Sequence, residues 1–115
     1  MLKIGISAVW LALAIVTLVS PLAAQPNDGL RAVEGAVRDS SGSAVNGAIV
    51  QLKDMKSLQI RSFITRENGA FVFQGIKKSV EYELKAKFNN KESKTRLLTI
   101  FDDRQRATID LTIED

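Results

Sequence analysis

The side chains that most often do chemistry are missing from this chain. Its 115 residues include no His and no Cys. Without His, the usual general base and the commonest metal ligand are both absent. Without Cys there is no thiol nucleophile, no disulfide framework and no zinc-finger spacing. Ser–His–Asp and Cys–His catalysis are therefore excluded within the chain. Carboxylates and cations remain. Two acidic loops have oxygen ligands that suit calcium: Asp39 with Ser40, Ser41 and Ser43, and the pair Asp102–Asp103. Neither has the regular oxygen spacing of a dedicated calcium loop, so a turn capped by Asx and Ser hydrogen bonds is the expected role. A Lys–Asn isopeptide bond needs a Lys in an early strand, an Asn in the last and a Glu or Asp between. The first strand offers only Arg31 and Arg38, and the last has no Asn. The expectation is no metal and no cofactor. One constellation suits contact rather than catalysis. Phe63 with Arg61, Lys77 and Lys78 combines an aromatic face with cations and suits a sugar or an acidic protein surface.

The elements that must position these residues begin after Ala24. Met1 to Ser20 carries one charge, Lys3, and the stretch from Ile4 to Val19 is apolar except for Gly5, Ser7 and Thr17. Small residues follow at Ala23 and Ala24. A basic start, an apolar run of about 16 residues and a small-residue exit read as a secretory signal peptide cleaved after Ala24. A retained membrane anchor is the alternative, although the run is short of the roughly 20 residues needed to span a bilayer. Removing residues 1–24 lowers the net charge from +3 to +2. That is too little for a nucleic-acid surface. Residues 25–30 read as a flexible leader, and residues 31–115 as one domain.

Within that domain apolar residues alternate with polar ones, and turn residues recur every eight to twelve positions. Arg31–Arg38 places Val33, Gly35 and Val37 on one face. Ala48, Val50 and Leu52 alternate with Gln51 and Lys53. In Gln59–Thr65, Phe63 falls opposite Ile60 and Ile64, which implies apolar cover on both faces or an aromatic free for contact. Asn68–Gly69 supplies a tight hairpin turn, and Phe71 and Phe73 follow on one face. Val80, Tyr82, Leu84, Ala86 and Phe88 form the cleanest alternation. Lys94–Phe101 and Arg104–Ile113 make a final pair. Faces of this kind require two antiparallel sheets packed against each other. The first strand, with small Gly35 and Ala36, is expected to be an open edge available for weak self-association or for pairing with a partner.

The ordered series Val33-Glu34-Gly35-Ala36-Val37-Arg38-Asp39, Ser41 to Ala48, Thr65-Arg66-Glu67-Asn68-Gly69-Ala70-Phe71-Val72-Phe73, Gly75-Ile76 and Tyr82-Glu83-Leu84 resembles the carboxypeptidase regulatory-like domain. Asn46 stands where that family usually has Pro, and Lys77-Lys78-Ser79-Val80 replaces its usual Pro-Pro-Gly. The resemblance implies an all-β, transthyretin-like fold: a seven-stranded antiparallel Greek-key β-sandwich, here behind an N-terminal signal peptide helix. It implies an accessory or interaction module with no shared catalytic residues. The related purine-pathway hydrolases rely on His and a Tyr-Arg-Gly-Ser ending, whereas this chain ends Thr112-Ile113-Glu114-Asp115. The expected protein is therefore a secreted or periplasmic, non-enzymatic module. Its expected partner is an envelope protein or glycan, with neither nucleic acid nor, after cleavage, membrane. A purely structural domain without a ligand is the second reading.

Overall fold

The computed structural model describes residues 29–115. The expected signal segment and residues 25–28 of the leader lie outside the described residues. Nine strands follow in order: β1 (Leu30–Arg38), β2 (Ile49–Asp54), β3 (Ile60–Ile64), β4 (Ala70–Lys77), β5 (Tyr82–Phe88), β6 (Lys91–Glu92), β7 (Arg96–Leu98), β8 (Arg106–Thr108) and β9 (Leu111–Thr112). One sheet runs β4-β1-β8, with β9 also on β1. The other runs β3-β2-β5-β6, with β7 also on β5. The described residues contain no helix.

The alternating faces meet as expected. Val33 and Val37 of β1, Val50 and Leu52 of β2, Phe71 and Phe73 of β4, and Tyr82, Leu84 and Ala86 of β5 are all buried in one core. Ala107, Ile109, Leu111 and Ile113 complete it from the C-terminal segment. Each large side chain taken from water contributes roughly 1.5–3 kcal/mol, and no disulfide supplements them.

Three expectations are corrected. Nine strand segments replace seven, because one expected strand is interrupted and a short extra strand forms before another. The expected 104–113 strand divides at Ile109 and Asp110. Ile109 N–H donates to the Glu34 carbonyl at 2.8 Å. The Asp110 carboxylate, rather than a carbonyl, accepts the Ala36 N–H at 3.0 Å. The expected 94–101 strand contracts to β7, and β6 precedes it after a turn in which Asn89 and Asn90 both have positive φ. The second correction is direction: β8 and β9 pair with β1 in parallel. The segment 99–105 carries the chain from one sheet to the other at the end where β1 begins, so β8 starts beside β1 and runs the same way. The third is the position of β1. It lies between β4 on one side and β8 and β9 on the other, so it has no free edge.

Gly35 permits this central packing. A Cβ there would fall far inside van der Waals contact with the Ile109 carbonyl oxygen and 2.7 Å from its carbon. The requirement is space rather than backbone freedom. Buried hydroxyls mend two irregular stretches. Thr65 Oγ1 donates to the Val45 carbonyl at 2.7 Å and accepts the Ala48 N–H at 2.9 Å. Ser93 Oγ accepts the Ala86 N–H at 2.9 Å.

Candidate functional site

Three connections gather at the end of the sandwich where β1 begins: 54–59 between β2 and β3, 77–81 between β4 and β5, and 99–105 between β7 and β8. Their common placement follows from register, since Asp54 stands opposite Tyr82, Tyr82 opposite Leu98, and Leu30 opposite Lys77.

Arg31 organises this end. It points inward from β1, opposite Ile76, and its side chain is fully buried. A guanidinium stays charged when buried, so it must find acceptors. Nη2 donates to the Thr99 carbonyl at 2.9 Å, and Nη1 donates to the Asp102 carbonyl. Nη1 also lies 4.0 Å from the Asp102 carboxylate. Nε has no hydrogen-bond partner. Asp102 in turn accepts Arg104 Nε at 2.9 Å and Nη2 at 2.6 Å. The Arg104 hydrogen bonds foremost, opposed by partial burial and aided by the Arg31 charge, lower the Asp102 carboxyl to about 2. Gln105 closes the segment: its carbonyl accepts Ala32 N–H at 3.0 Å, and its Nε2 donates to the Leu30 carbonyl at 2.8 Å.

The segment fixed in this way turns apolar side chains into solvent. Phe101 is 88% exposed, Ile100 before it is about half exposed, and so is Leu97 on β7. Leu58 extends from the neighbouring 54–59 turn, also exposed, with a φ of 67°. A positive φ is unfavourable for a residue with a Cβ. It persists here because Leu58 N–H donates to the Asp54 carbonyl at 2.7 Å, while the Asp54 carboxylate accepts Lys56 N–H at 2.8 Å and Ser57 N–H at 2.9 Å. The Ser57 N–H foremost holds the Asp54 carboxyl below its usual range. The chemistry available at this end is apolar and aromatic contact within a charged rim.

The contacts of the four residues singled out from sequence fall into two pairs. Arg61 and Phe63 are together on the inward face of β3. Phe63 is half-buried and meets Phe73 edge-on with ring centroids 6.1 Å apart, so it is a lid on the core rather than a free aromatic. The Arg61 guanidinium lies 5.5 Å from the Phe73 ring centroid and donates to the Gln74 carbonyl at 3.0 Å. Lys77 ends β4, where its backbone N–H donates to the Tyr82 hydroxyl at 2.9 Å. Lys78 follows, and its N–H donates to the Gly29 carbonyl at 2.9 Å. Among the described residues no hydrogen bond, ion pair or ring contact joins the two lysines to Arg61 or Phe63. Phe101 was legible as an aromatic beside Asp102–Asp103, but the alternation of 94–101 counted it as part of a strand.

The Asp39 loop folds as a capped turn. Its Oδ1 accepts Ser41 Oγ at 2.6 Å, Ser41 N–H at 2.9 Å and Ser43 N–H at 3.0 Å. The Ser41 hydroxyl foremost holds the Asp39 carboxyl below its usual range. Among the described residues no group of three or more acidic side chains is placed to hold a metal ion.

The model of the carboxypeptidase regulatory-like domain matches residues 32–114, and the chain belongs to that family. This is a regulatory rather than a catalytic domain family. No curated protein matches the chain. Several solved structures share the fold. Chlorocatechol 1,2-dioxygenase from Pseudomonas putida is 12% identical, with a TM-score of 0.59 over 79% of this chain and 63% of that one. BcpA, the major pilin subunit of Bacillus cereus, is 15% identical, with a TM-score of 0.58 over 74% of this chain and 30% of that one. The group B streptococcus pilus 2b backbone protein is 13% identical, with a TM-score of 0.56 over 74% of this chain and 41% of that one. The chain spans from under a third to just under two thirds of these structures. At such identities the likeness is one of fold alone.

Proposed function

We propose that the chain is an exported, non-enzymatic accessory module that engages an envelope protein or glycan through the end carrying Phe101. The observation that carries this reading is an aromatic ring 88% exposed on a segment anchored by a fully buried arginine. Holding an apolar side chain in water has no benefit to folding, whereas a preorganised aromatic loses little entropy when it meets a partner. The export expectation rests on residues 1–24, and it places the module in the periplasm or outside the cell. The non-enzymatic reading rests on the family and on the lack of His and Cys. The pilin neighbours favour a second reading, a structural module with no ligand of its own.

Binding of envelope extract and of a glycan panel to immobilised protein separates the two. A saturable partner whose affinity falls about 30-fold in Phe101→Ala, the loss typical of a central aromatic anchor, supports the binding reading. The absence of any saturable partner for the unaltered protein supports the structural one.

A further inference from the structure

Strand β3 is the end of its sheet, paired with β2 on one side only. Its register shows which backbone groups are free. Asp54 N–H donates to the Gln59 carbonyl and Thr65 N–H to the Ala48 carbonyl, so the odd-numbered positions of β3 face β2. Antiparallel bonding alternates, so Ile60, Ser62 and Ile64 aim their N–H and C=O groups at the open side. The side chains of the same three residues lie on the outer face. Ile60 is 54% and Ile64 66% exposed, and Ile49 beside Ile64 on β2 is exposed as well. Edge strands are usually protected by an outward charge, a proline or a bulge. β3 has none of these on its outer face; its one charge, Arg61, points inward, which is also an edge defence, and is occupied by the Phe73 ring and the Gln74 carbonyl.

We propose that this edge is completed by a second copy of the chain, β3 pairing antiparallel with β3 across a two-fold axis at Ser62. The sequence is self-complementary about that residue. Ser62 meets Ser62, and Ile60 meets Ile64 of the second copy. These are the bonded positions, so every free N–H and C=O of Ile60, Ser62 and Ile64 acquires a partner. On the outer face Ile49 and Ile64 of one copy continue into Ile60 of the other. On the inner face Arg61 stands opposite Phe63 of the second copy. The guanidinium, already against the Phe73 ring, thus meets a second aromatic surface rather than another cation. A parallel arrangement in register would instead set Arg61 beside Arg61. The pairing buries few residues, so the dimer belongs with the weak, transient class of interface. It uses a different surface from the Phe101 end and stands or falls independently of it.

The absence of Cys makes the test direct in the full chain. Ser62→Cys under mild oxidation is expected to give a disulfide-linked dimer at least tenfold faster than Lys53→Cys, one strand away from the edge. Ile64→Lys added to Ser62→Cys is expected to suppress that dimer while leaving the melting temperature unchanged, since residue 64 is exposed. A mixture of Ile60→Cys and Ile64→Cys is expected to cross-link with each other in preference to themselves. Equal rates for Ser62→Cys and Lys53→Cys overturn the proposal, as does a rate indifferent to Ile64→Lys. Preferential Ile64→Cys self-linkage overturns the antiparallel register.

Discussion

Arg31 is in phase with Val33 and Val37 on the apolar face of β1, and its side chain is fully buried. Its contacts go mainly to carbonyls, so its removal takes the Arg31 donor from the Asp102 carbonyl and leaves the Thr99 carbonyl only the Asp102 N–H at 3.2 Å. Arg31→Met is expected to destabilise the domain by about 2–4 kcal/mol in urea unfolding. It is also expected to raise amide exchange across 99–105 before the rest of the sandwich. Uniform exchange would mean that Arg31 is packing alone. Asp102 gives a prediction in pH. Its folded pKa, near 2, lies below the ordinary 3.8. The unfolded chain therefore takes up the proton first as the solution is acidified. The stabilisation is complete above about pH 4 and is lost as pH falls from about 4 to about 2. Asp39, Asp54 and Asp115 are lowered as well and act in the same direction. Asp102→Asn is thus expected to flatten part of the acid limb of melting temperature against pH, not all of it.

Among the elements, β3 is where pattern alone left the faces undecided. Two isoleucines opposed one phenylalanine, and the phenylalanine won the inner face. Register explains it: Phe63 stands opposite buried Val50 and reaches Phe73 of the other sheet, while Ile64 stands opposite exposed Ile49. Phe63→Ala is expected to cost about 2–3 kcal/mol, and Ile64→Ala less than about 0.5 kcal/mol, measured as denaturant midpoints at constant slope. The reverse order would place the isoleucines in the core. β5 was legible throughout, because a strand with neighbours on both sides and one wet face must alternate. The interruption at Ile109 and Asp110 was not. It depends on Gly35, some 75 residues away in the chain, allowing a close approach there.

At the scale of the whole molecule, the C-terminal segment joins the two sheets. β9 pairs with Val37 and Arg38 in one, and Ile113 bridges to Ser93, which is bonded to β5 of the other. Leu111 and Ile113 are buried between them. Deleting residues 111–115 is expected to abolish cooperative thermal unfolding, because both inner faces lose cover together. A sharp transition surviving that deletion would show that β1 and β8 close the sandwich unaided.

The sequence by itself determined the all-β class, the inward positions of β2, β5 and the last segment, the family, and the exclusion of His and Cys chemistry. These follow from period and residue type, which are local. Only the tertiary structure decided that β1 is central, that the Arg31 guanidinium is held by the Thr99 and Asp102 carbonyls, and that Phe63 covers the core while Phe101 faces water. Each of these depends on which distant strand lies alongside, and a two-residue period says which face is apolar without saying what it meets.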